Sequence, residues 1–472
     1  MKNISSFNFN FTILFSVAIF ILFSSNADEK VNQNKLLLYP DEIIFYSNGS
    51  IFSPTIVLQA NATVTWTWAD STTSNSLTPT KNYGTTQLRK NSLTVTPWSA
   101  LQRINIGYDG LDGGSKDIEL VADQNVSKVE NLALVAPYLK EWCSSFNNID
   151  TLDFSNFINI ETIECLNSIS LKSVNLANTP KLKRACFEEN SLTNFDLSGS
   201  PALEDVRGAK NKFNTITFSY STENIWHICV RDNPQITSSN LFNNLSIFPN
   251  IAELFIWNTN QKGNLVIPST HPSKEVQIEA YRNQYSSIDF RGALRNTNYN
   301  GYVDLSHNNL TRIDISGCVQ IKDLDLSYNK LDSLTIDQIL KQVDEYGTNN
   351  GTIDLRSNAP PTLIGLVHMI NLEKRGWVVN IEQRTTSSSQ ILNDLYFFNV
   401  YSNPSNGKII INLDKIPTEE IVVEIRNISG MKIFEQKIIH KRSELSINKS
   451  SVSLYFITLR GRNYTKSKKV VL

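Results

Sequence analysis

The feature that most constrains this chain is a nine-residue frame that returns about every 21 to 26 residues through its middle: apolar, two residues, apolar, one residue, apolar, two residues, Asn. The clearest copies are Leu182, Ala185, Phe187, Asn190; Leu203, Val206, Gly208, Asn211; Ile225, Ile228, Val230, Asn233; and Ile321, Leu324, Leu326, Asn329. Asn190 to Asn211 is 21 residues and Asn211 to Asn233 is 22, a regularity that independent loops do not produce. Further copies end at Asn283, Asn308 and Asn358, and looser ones at Asn147, Ser168 and Thr259. They bring the count to about ten turns, above the three or so that stacking requires. A short strand with one buried face cannot bury it alone and must stack on a copy of itself, so the frame predicts a solenoid. Where the chain leaves each strand and turns inward, the Asn amide, both donor and acceptor, is expected to satisfy backbone groups buried there. Ser168 and Thr259 can do this only in part.

Between these strands runs a half-frame: Leu171, Val174, Leu176; Leu192, Phe195, Leu197, Ser198; and Leu310, Ile313, Ile315, Ser316. Joined to the first frame, the stretches LTNFDLSGSPALEDVRGAKN (192–211) and LTRIDISGCVQIKDLDLSYN (310–329) resemble the bacterial 21-residue leucine-rich repeat of the internalin J type. The resemblance covers about half the chain. It implies a fold and leaves function open.

The chain begins with a short basic start, an apolar run of about 13 residues from Phe11 to Phe23, and the small residues Ser25, Asn26 and Ala27. A bilayer span needs roughly 20 apolar residues, so 1–27 reads as an export signal cleaved after Ala27, and no transmembrane span is expected in the mature chain. With 44 basic and 45 acidic residues the charge nearly cancels, which points away from nucleic acid as a partner. The five cysteines are Cys143, Cys165, Cys186, Cys229 and Cys318. Cys143, Cys186 and Cys229 fall on fifth positions of alternate strands, about 9.6 Å apart and beyond the reach of a disulfide at about 7 Å. Free thiols are expected. No CxxC pair suggests zinc, and neither a metal nor a cofactor is expected.

Ahead of the repeats, alternating segments such as Thr63–Trp68 and Ser92–Thr96 between Gly, Pro, Ser and Asn turns predict a small β-sandwich over 35–125. It resembles the immunoglobulin-like or PKD-like modules of bacterial surface proteins. Its Gly107–Gly114 stretch carries Asp109 and Asp112 on a glycine-rich turn but lacks the spacing of a calcium loop, so a plain turn is expected. The solenoid is assigned 126–383, with two short helices around a strand capping its end after Asp337. A polar linker follows at 384–393.

The remaining segment, 394–472, contains Tyr401-Ser402-Asn403-Pro404-Ser405-Asn406-Gly407, then Gly430-Met431-Lys432, then Tyr455 in a strand, then a basic end with Lys468 and Lys469. This order resembles the type A C-terminal sorting domain of type IX secretion. Ser402 stands where the family has its first Pro, Met431 where Lys is usual, and Ser453-Leu454 where a Gly precedes Tyr455. The resemblance implies that the type IX machinery carries the chain across the outer membrane of a Gram-negative cell, for release or surface attachment. Tyr401, Asn403, Pro404, Gly407, Gly430, Tyr455, Lys468 and Lys469 are then the sorting signal. The fold expected is mainly β with minor α: a leucine-rich repeat solenoid of about ten turns flanked by N-terminal and C-terminal β-sandwich domains.

Alternate residues of a strand point to opposite faces, so with the fourth and sixth positions in the core, the third, fifth and seventh face the concave side. The middle strands present Arg207, His227, Arg231, Phe255, Trp257, Glu279, Tyr281 and Tyr302 there, and the last strands Asp304, Asp325 and Asp354 with Ser306 and Ser327. Exposed Trp, Tyr and Arg are the composition of binding hot spots. A concave ligand surface is therefore expected, for a protein partner or for a glycan stacked on the same rings. The opposing possibility is that the insertion near 269–273 covers Phe255 and Trp257. The aspartate column is expected to be structural. The five histidines are scattered and no nucleophile elbow occurs, so no enzyme is expected.

Overall fold

The computed structural model describes residues 41–107, 124–237, 241–267, 269–290, 293–294, 300–382, 398–403, 408–413, 420–446, 454–461 and 465–471. The expected signal at 1–27, the linker at 384–393 and all but the first residue of the Gly107–Gly114 turn lie outside them.

The repeats build one 13-stranded sheet. Its strands in chain order are β1 (Thr55–Leu58), β2 (Leu101–Asn105), β3 (Glu141–Cys143), β4 (Thr162–Glu164), β5 (Arg184–Cys186), β6 (Asp205–Arg207), β7 (His227–Cys229), β8 (Glu253–Phe255), β9 (Val276–Glu279), β10 (Gly301–Asp304), β11 (Ile321–Asp325), β12 (Thr352–Asp354) and β13 (Val378–Asn380). They lie side by side in that order, all parallel from β2 to β13, with β1 antiparallel to β2. The half-frames form short parallel pairs and a triplet on the opposite side: Thr151–Asp153 with Ser173–Asn175, Asn194–Asp196 with Thr215–Thr217, and Lys262–Val266, Gln284–Asp289 and Arg312–Asp314. Between the two rows the fourth- and sixth-position side chains, among them Val206, Ile228, Leu254, Ile278 and Val303, are fully buried. Gly208 takes a sixth position because the stacked rings of Phe195 and Phe213 fill the space beneath it. A Cβ on Gly208 would sit 2.8 Å from the Phe213 ring.

The asparagines hold the turns together as their chemistry requires. Asn233 Oδ1 accepts from the Phe213 backbone N–H at 3.3 Å, and its Nδ2 donates to the Gly208 carbonyl at 3.0 Å and the Val230 carbonyl at 2.9 Å. Asn190, Asn211, Asn283, Asn308, Asn329 and Asn358 each repeat the pattern, bonding a carbonyl of the previous coil as well as one of their own. At Thr259 the hydroxyl donates to Ile256 O of its own coil and to Asn283 Oδ1 of the next, with no bond to a carbonyl of the coil before, and Gln261 Oε1 accepts from the Phe242 N–H. The residue before each ladder position, including Glu189, Lys210, Asp232, Arg282 and Tyr328, is left-handed, with φ between 52° and 60° at these five.

The boundary expected at 125/126 does not separate two sheets. The N-terminal five-stranded sheet contains Thr73–Ser74, Thr63–Thr67, Arg89–Thr96, Ile43–Ser47 and also Val126–Glu130, while β1 and β2 belong to the solenoid sheet. The N-terminal module therefore faces its sheet against the first strands of the solenoid, and one apolar core runs from Ile43 and Phe45 through Trp66, Ile104 and Trp142 into the repeats. At the other end α1 (Ser333–Glu345) and α2 (Leu363–Lys374) bracket β12. Helix α1 begins four residues before the expected Asp337, because Asp332 caps it by accepting from Thr335 N–H at 2.8 Å. It buries Ile336, Ile339, Leu340 and Val343, spacings of three and four that form one stripe. Asp337 accepts from the Thr362 N–H at 2.8 Å and so ties the start of α2 to α1.

The C-terminal segment forms two antiparallel sheets around a core of its own. One holds Phe398–Asn403, Lys408–Leu413 and Arg442–Ser446; the other holds Lys432–Ile438, Ile421–Asn427, Leu454–Arg460 and Thr465–Val471. Ile409, Ile411, Val423, Ile425, Ile457 and Leu459 fill the space between them.

Candidate functional site

Ladder pairing brings residues of equal frame position into rows across the concave face. Along the third positions Asp205 pairs with His227 and His227 with Glu253. His227 is 3 % exposed, so it does not face solvent as its strand position suggests. Its Nδ1 meets Asp205 Oδ1 at 2.5 Å and its Nε2 lies 3.6 Å from Glu253 Oε2. Arg207 closes the group from above, its Nε donating to both Asp205 oxygens at 3.0 and 3.1 Å. Burial alone would raise the Asp205 carboxyl, but the bonds from His227 and Arg207 hold it below its ordinary range. This part of the face is sealed by its own ion pairs.

The fifth positions of β3, β5 and β7 are Cys143, Cys186 and Cys229, and none of the chain's five cysteines is disulfide-bonded. Cys186 and Cys229 are buried. Burial, with Glu188 nearby, pushes the Cys229 thiol up to about 12 and Cys186 well above its usual value. Protonated and covered, these thiols are side chains of a packed surface and not nucleophiles.

Rings take over from β7 onward. His227 and Phe255 meet edge to face at 5.6 Å, Phe255 and Trp257 at 6.1 Å, and Trp257 and Tyr281 stack at 4.9 Å with their planes 13° apart. The guanidinium of Arg231 lies 4.9 Å from the Trp257 ring centre. Arg231 follows β7 and Tyr281 follows β9, the strands on either side of β8, and both pack against the Trp257 ring. Phe255, Trp257 and Tyr281 remain half-buried. The insertion at 269–273 does not cover them. It bonds to Pro249 O through Ser269 and to Ile251 O through the His271 N–H, at the start of the turn, whereas Trp257 stands past the end of β8.

Beyond the rings lie Glu279, Tyr302, Asp304 and Asp325. Asp304, Asp325 and Asp354 each accept the backbone N–H two residues on, from Ser306, Ser327 and Arg356, at 2.9, 2.8 and 3.0 Å. The column thus closes the turn at the end of each strand, which is its structural role. Sequence reasoning missed three participants: Asp205, which buries His227; Asp323, which pairs across from Tyr302; and Tyr328, 54 % exposed and stacked on His307 at 4.3 Å. The signal for Tyr328 was available, since the eighth position stands beside the ladder Asn at the rim of the face.

The expected sorting residues are dispersed. Tyr455 is 8 % exposed and belongs to the core, while Tyr401 is 55 % exposed. Gly430 turns between two strands at φ +83°, its N–H bonded to Asn427 O at 2.9 Å; a Cβ there would meet no neighbour, so the backbone angle is what demands glycine. Lys468 donates to Asn399 Oδ1 at 3.2 Å and Lys469 stands 5.9 Å from the Phe456 ring. The Asn403 side chain, Pro404 and Gly407 lie outside the described residues. No helix among the described residues is long and apolar enough to cross a membrane.

Residues 399–472 match the family of secretion system C-terminal sorting domains. No curated protein matches the chain's sequence. Among solved structures, the chain is similar to an octameric complex of Latrophilin 3, Unc5D and the leucine-rich repeats of FLRT2, at 15 % identity and TM-score 0.33, over 43 % of this chain and 65 % of that one. It is also similar to the functional domain of InlJ from Listeria monocytogenes, which includes a cysteine ladder, at 12 % identity and TM-score 0.24, over 74 % of each chain. Neither superposition carries an argument about this chain, whose solenoid is read from its own strands.

Proposed function

Because residues 399–472 make this chain a secreted or cell-surface protein of the type IX route, we propose that its solenoid binds a protein partner on the concave face, in adhesion or surface interaction. The observation that supports this most is the Arg231–Trp257–Tyr281 stack. A sugar ring needs an open aromatic face to stack on, and the Trp257 ring is already packed against the Arg231 guanidinium and the Tyr281 ring. What results is a half-buried strip of rings with an arginine in it, the kind of anchor that protein interfaces concentrate. A glycan ligand on the same rings is the weaker reading for that reason. We further read the protein as a binder and not a catalyst, since His227 and His368, both beside carboxylates, are held in structural pairs with Asp205 and Asp344.

The test is binding of the exported chain to an array of glycans and surface proteins, beside a Trp257→Ala/Tyr281→Ala variant. A protein ligand that the variant loses, with its melting temperature kept, is the expected result. A glycan ligand lost by the same variant sinks the protein reading, and binding that survives unchanged moves the site off the concave strip.

A further inference from the structure

The second half of the concave face holds a row of carboxylates that form no ion pair among the described residues, with Arg231 near Glu279 and His307 near Asp304 the cations that bear on them. Ladder pairing sets Glu279 beside Asp304, and Asp304 beside Asp325, along the fifth positions, and sets Tyr302 beside Asp323 along the third. Neighbouring strands are about 4.8 Å apart, so carboxylates face carboxylates at close range. Among the described residues none of the four pairs with a lysine or arginine. Their polar contacts are neutral: Gln277 Nε2 on Glu279 at 2.6 Å, and the backbone N–H groups on Asp304 and Asp325. Elsewhere on the same face the rule is different. Asp205 has Arg207, and Asp354 has Arg356, whose Nε donates to both its oxygens at 3.0 and 2.9 Å.

Tyr302 stands among these carboxylates with 39 % of its surface open. Its hydroxyl is pushed up to about 12, first by burial and then by Asp304, Glu279, Asp325 and Asp323 together, so all four bear on one accessible ring. An aromatic ring ringed by carboxylates is the chemistry that recognises ammonium and guanidinium groups. A metal ion fits less well, because the carboxylates run in rows: no group of three or more His, Cys, Asp or Glu among the described residues is placed to hold one.

Resting on the concave-face reading above, we infer that the partner is a protein segment bearing lysine or arginine, laid across β9, β10 and β11 with a cation over Tyr302, beside the Trp257–Tyr281 strip. Charge complementarity selects this occupant: the face carries an unpaired acidic column where a partner would have to desolvate it.

The experiment sets the exported chain against short synthetic peptides that are lysine- and arginine-rich, neutral or acidic, each at low and high salt, and against calcium chloride alone. Two variants run beside it, Asp304→Asn/Asp325→Asn and Trp257→Ala/Tyr281→Ala. Asparagine keeps the oxygen that accepts the backbone N–H, so the turns survive and only charge is removed. Cationic peptides should bind in preference, weaken about tenfold from low to high salt, and lose about tenfold or more in the neutralised variant while its melting temperature holds. Equal binding of acidic and cationic peptides, or an unchanged neutralised variant, overturns the cationic partner. If the array partner is then still lost by the aromatic variant, the concave-face reading stands without it; if neither variant matters, both fall. Calcium binding that the neutralised variant abolishes, with no peptide preference, replaces the inference with a metal site.

Discussion

The two halves of the concave face use one frame for opposite ends. From β5 to β7 the third and fifth positions hold Arg184, Asp205, His227, Cys186, Arg207 and Cys229, and the charges close on one another until Asp205 and His227 are buried. From β8 to β11 the same positions hold Glu253, Phe255, Gln277, Glu279, Tyr302, Asp304, Asp323 and Asp325, half-buried or exposed, and among the described residues no lysine or arginine forms an ion pair with their carboxylates. The stacked coils and the apolar core beneath continue through both, although Thr259 replaces the ladder Asn in the β8 coil. What differs is whether neighbouring coils supply opposite charges, and that alone turns a packed surface into an open one.

The difference should break first under substitution. Asp205→Ala leaves His227 buried without its acceptor and Arg207 without its pair, so a loss of about 3–5 kcal/mol is expected, read as a lower urea midpoint. Asp304→Asn keeps the Ser306 bond and removes only an unpaired charge, so it should stay within about 1 kcal/mol of the parent. Equal losses at the two sites would erase the distinction.

Titration should separate the halves by sign. The Asp205 carboxyl lies below its ordinary range when folded, so its contribution is present above the unfolded value of about 3.9 and is lost as pH falls through the folded value. Asp304 and Glu279 are raised, first by burial and also by neighbouring carboxylates. Here the folded state holds the proton more tightly, so stability falls as pH rises from the unfolded value through the folded one. Melting curves between about pH 3 and pH 7 should show the advantage of the parent over Asp205→Asn shrinking toward acid. The advantage of Asp304→Asn over the parent should grow toward neutrality. Parallel curves for the two variants would contradict the assignment.

Glu279→Gln sharpens the second half alone. The side chain is half exposed, so solvent screens its repulsion from Asp304, and a gain of no more than about 1 kcal/mol is expected. That gain should come with weaker binding of a cationic partner, as expected where a site keeps destabilising charge for function. A variant that is both less stable and unchanged in binding would show the column to be purely structural.

Much of this was legible in the chain because the frame repeats. Each Asn bonds within its own coil and to the one before, so Asn190, Asn211 and Asn233 had to recur at the coil period, and the period could be read. The left-handed residue before each Asn was not legible. Glu189, Lys210, Arg282 and Tyr328 share no chemistry, and the conformation is imposed by the bonds around them. His227 was misread as solvent-facing because its burial is decided by Asp205 and Glu253, 22 and 26 residues away on neighbouring coils and silent in its own strand. The exchange of β2 and Val126–Glu130 between the N-terminal sheet and the solenoid was hidden for a related reason: both are short alternating strands, and pairing partners are not written in alternation.

Thiol chemistry probes the same contrast with the least disturbance. Cys186 and Cys229 occupy fifth positions in the first half, where burial keeps them protonated. All five cysteines are buried, so a thiol reagent at neutral pH should leave the native chain unmodified and react fully only after unfolding. Asp304→Cys places a sixth thiol at the same frame position in the second half, half-buried at a site where no lysine or arginine forms an ion pair among the described residues. If that half is open as described, this thiol should be modified about tenfold or more faster than any native one, counted by mass spectrometry before unfolding. A silent thiol there would mean that the coils of the second half close over their fifth positions as the first half does, and the two regions would then differ in charge but not in access.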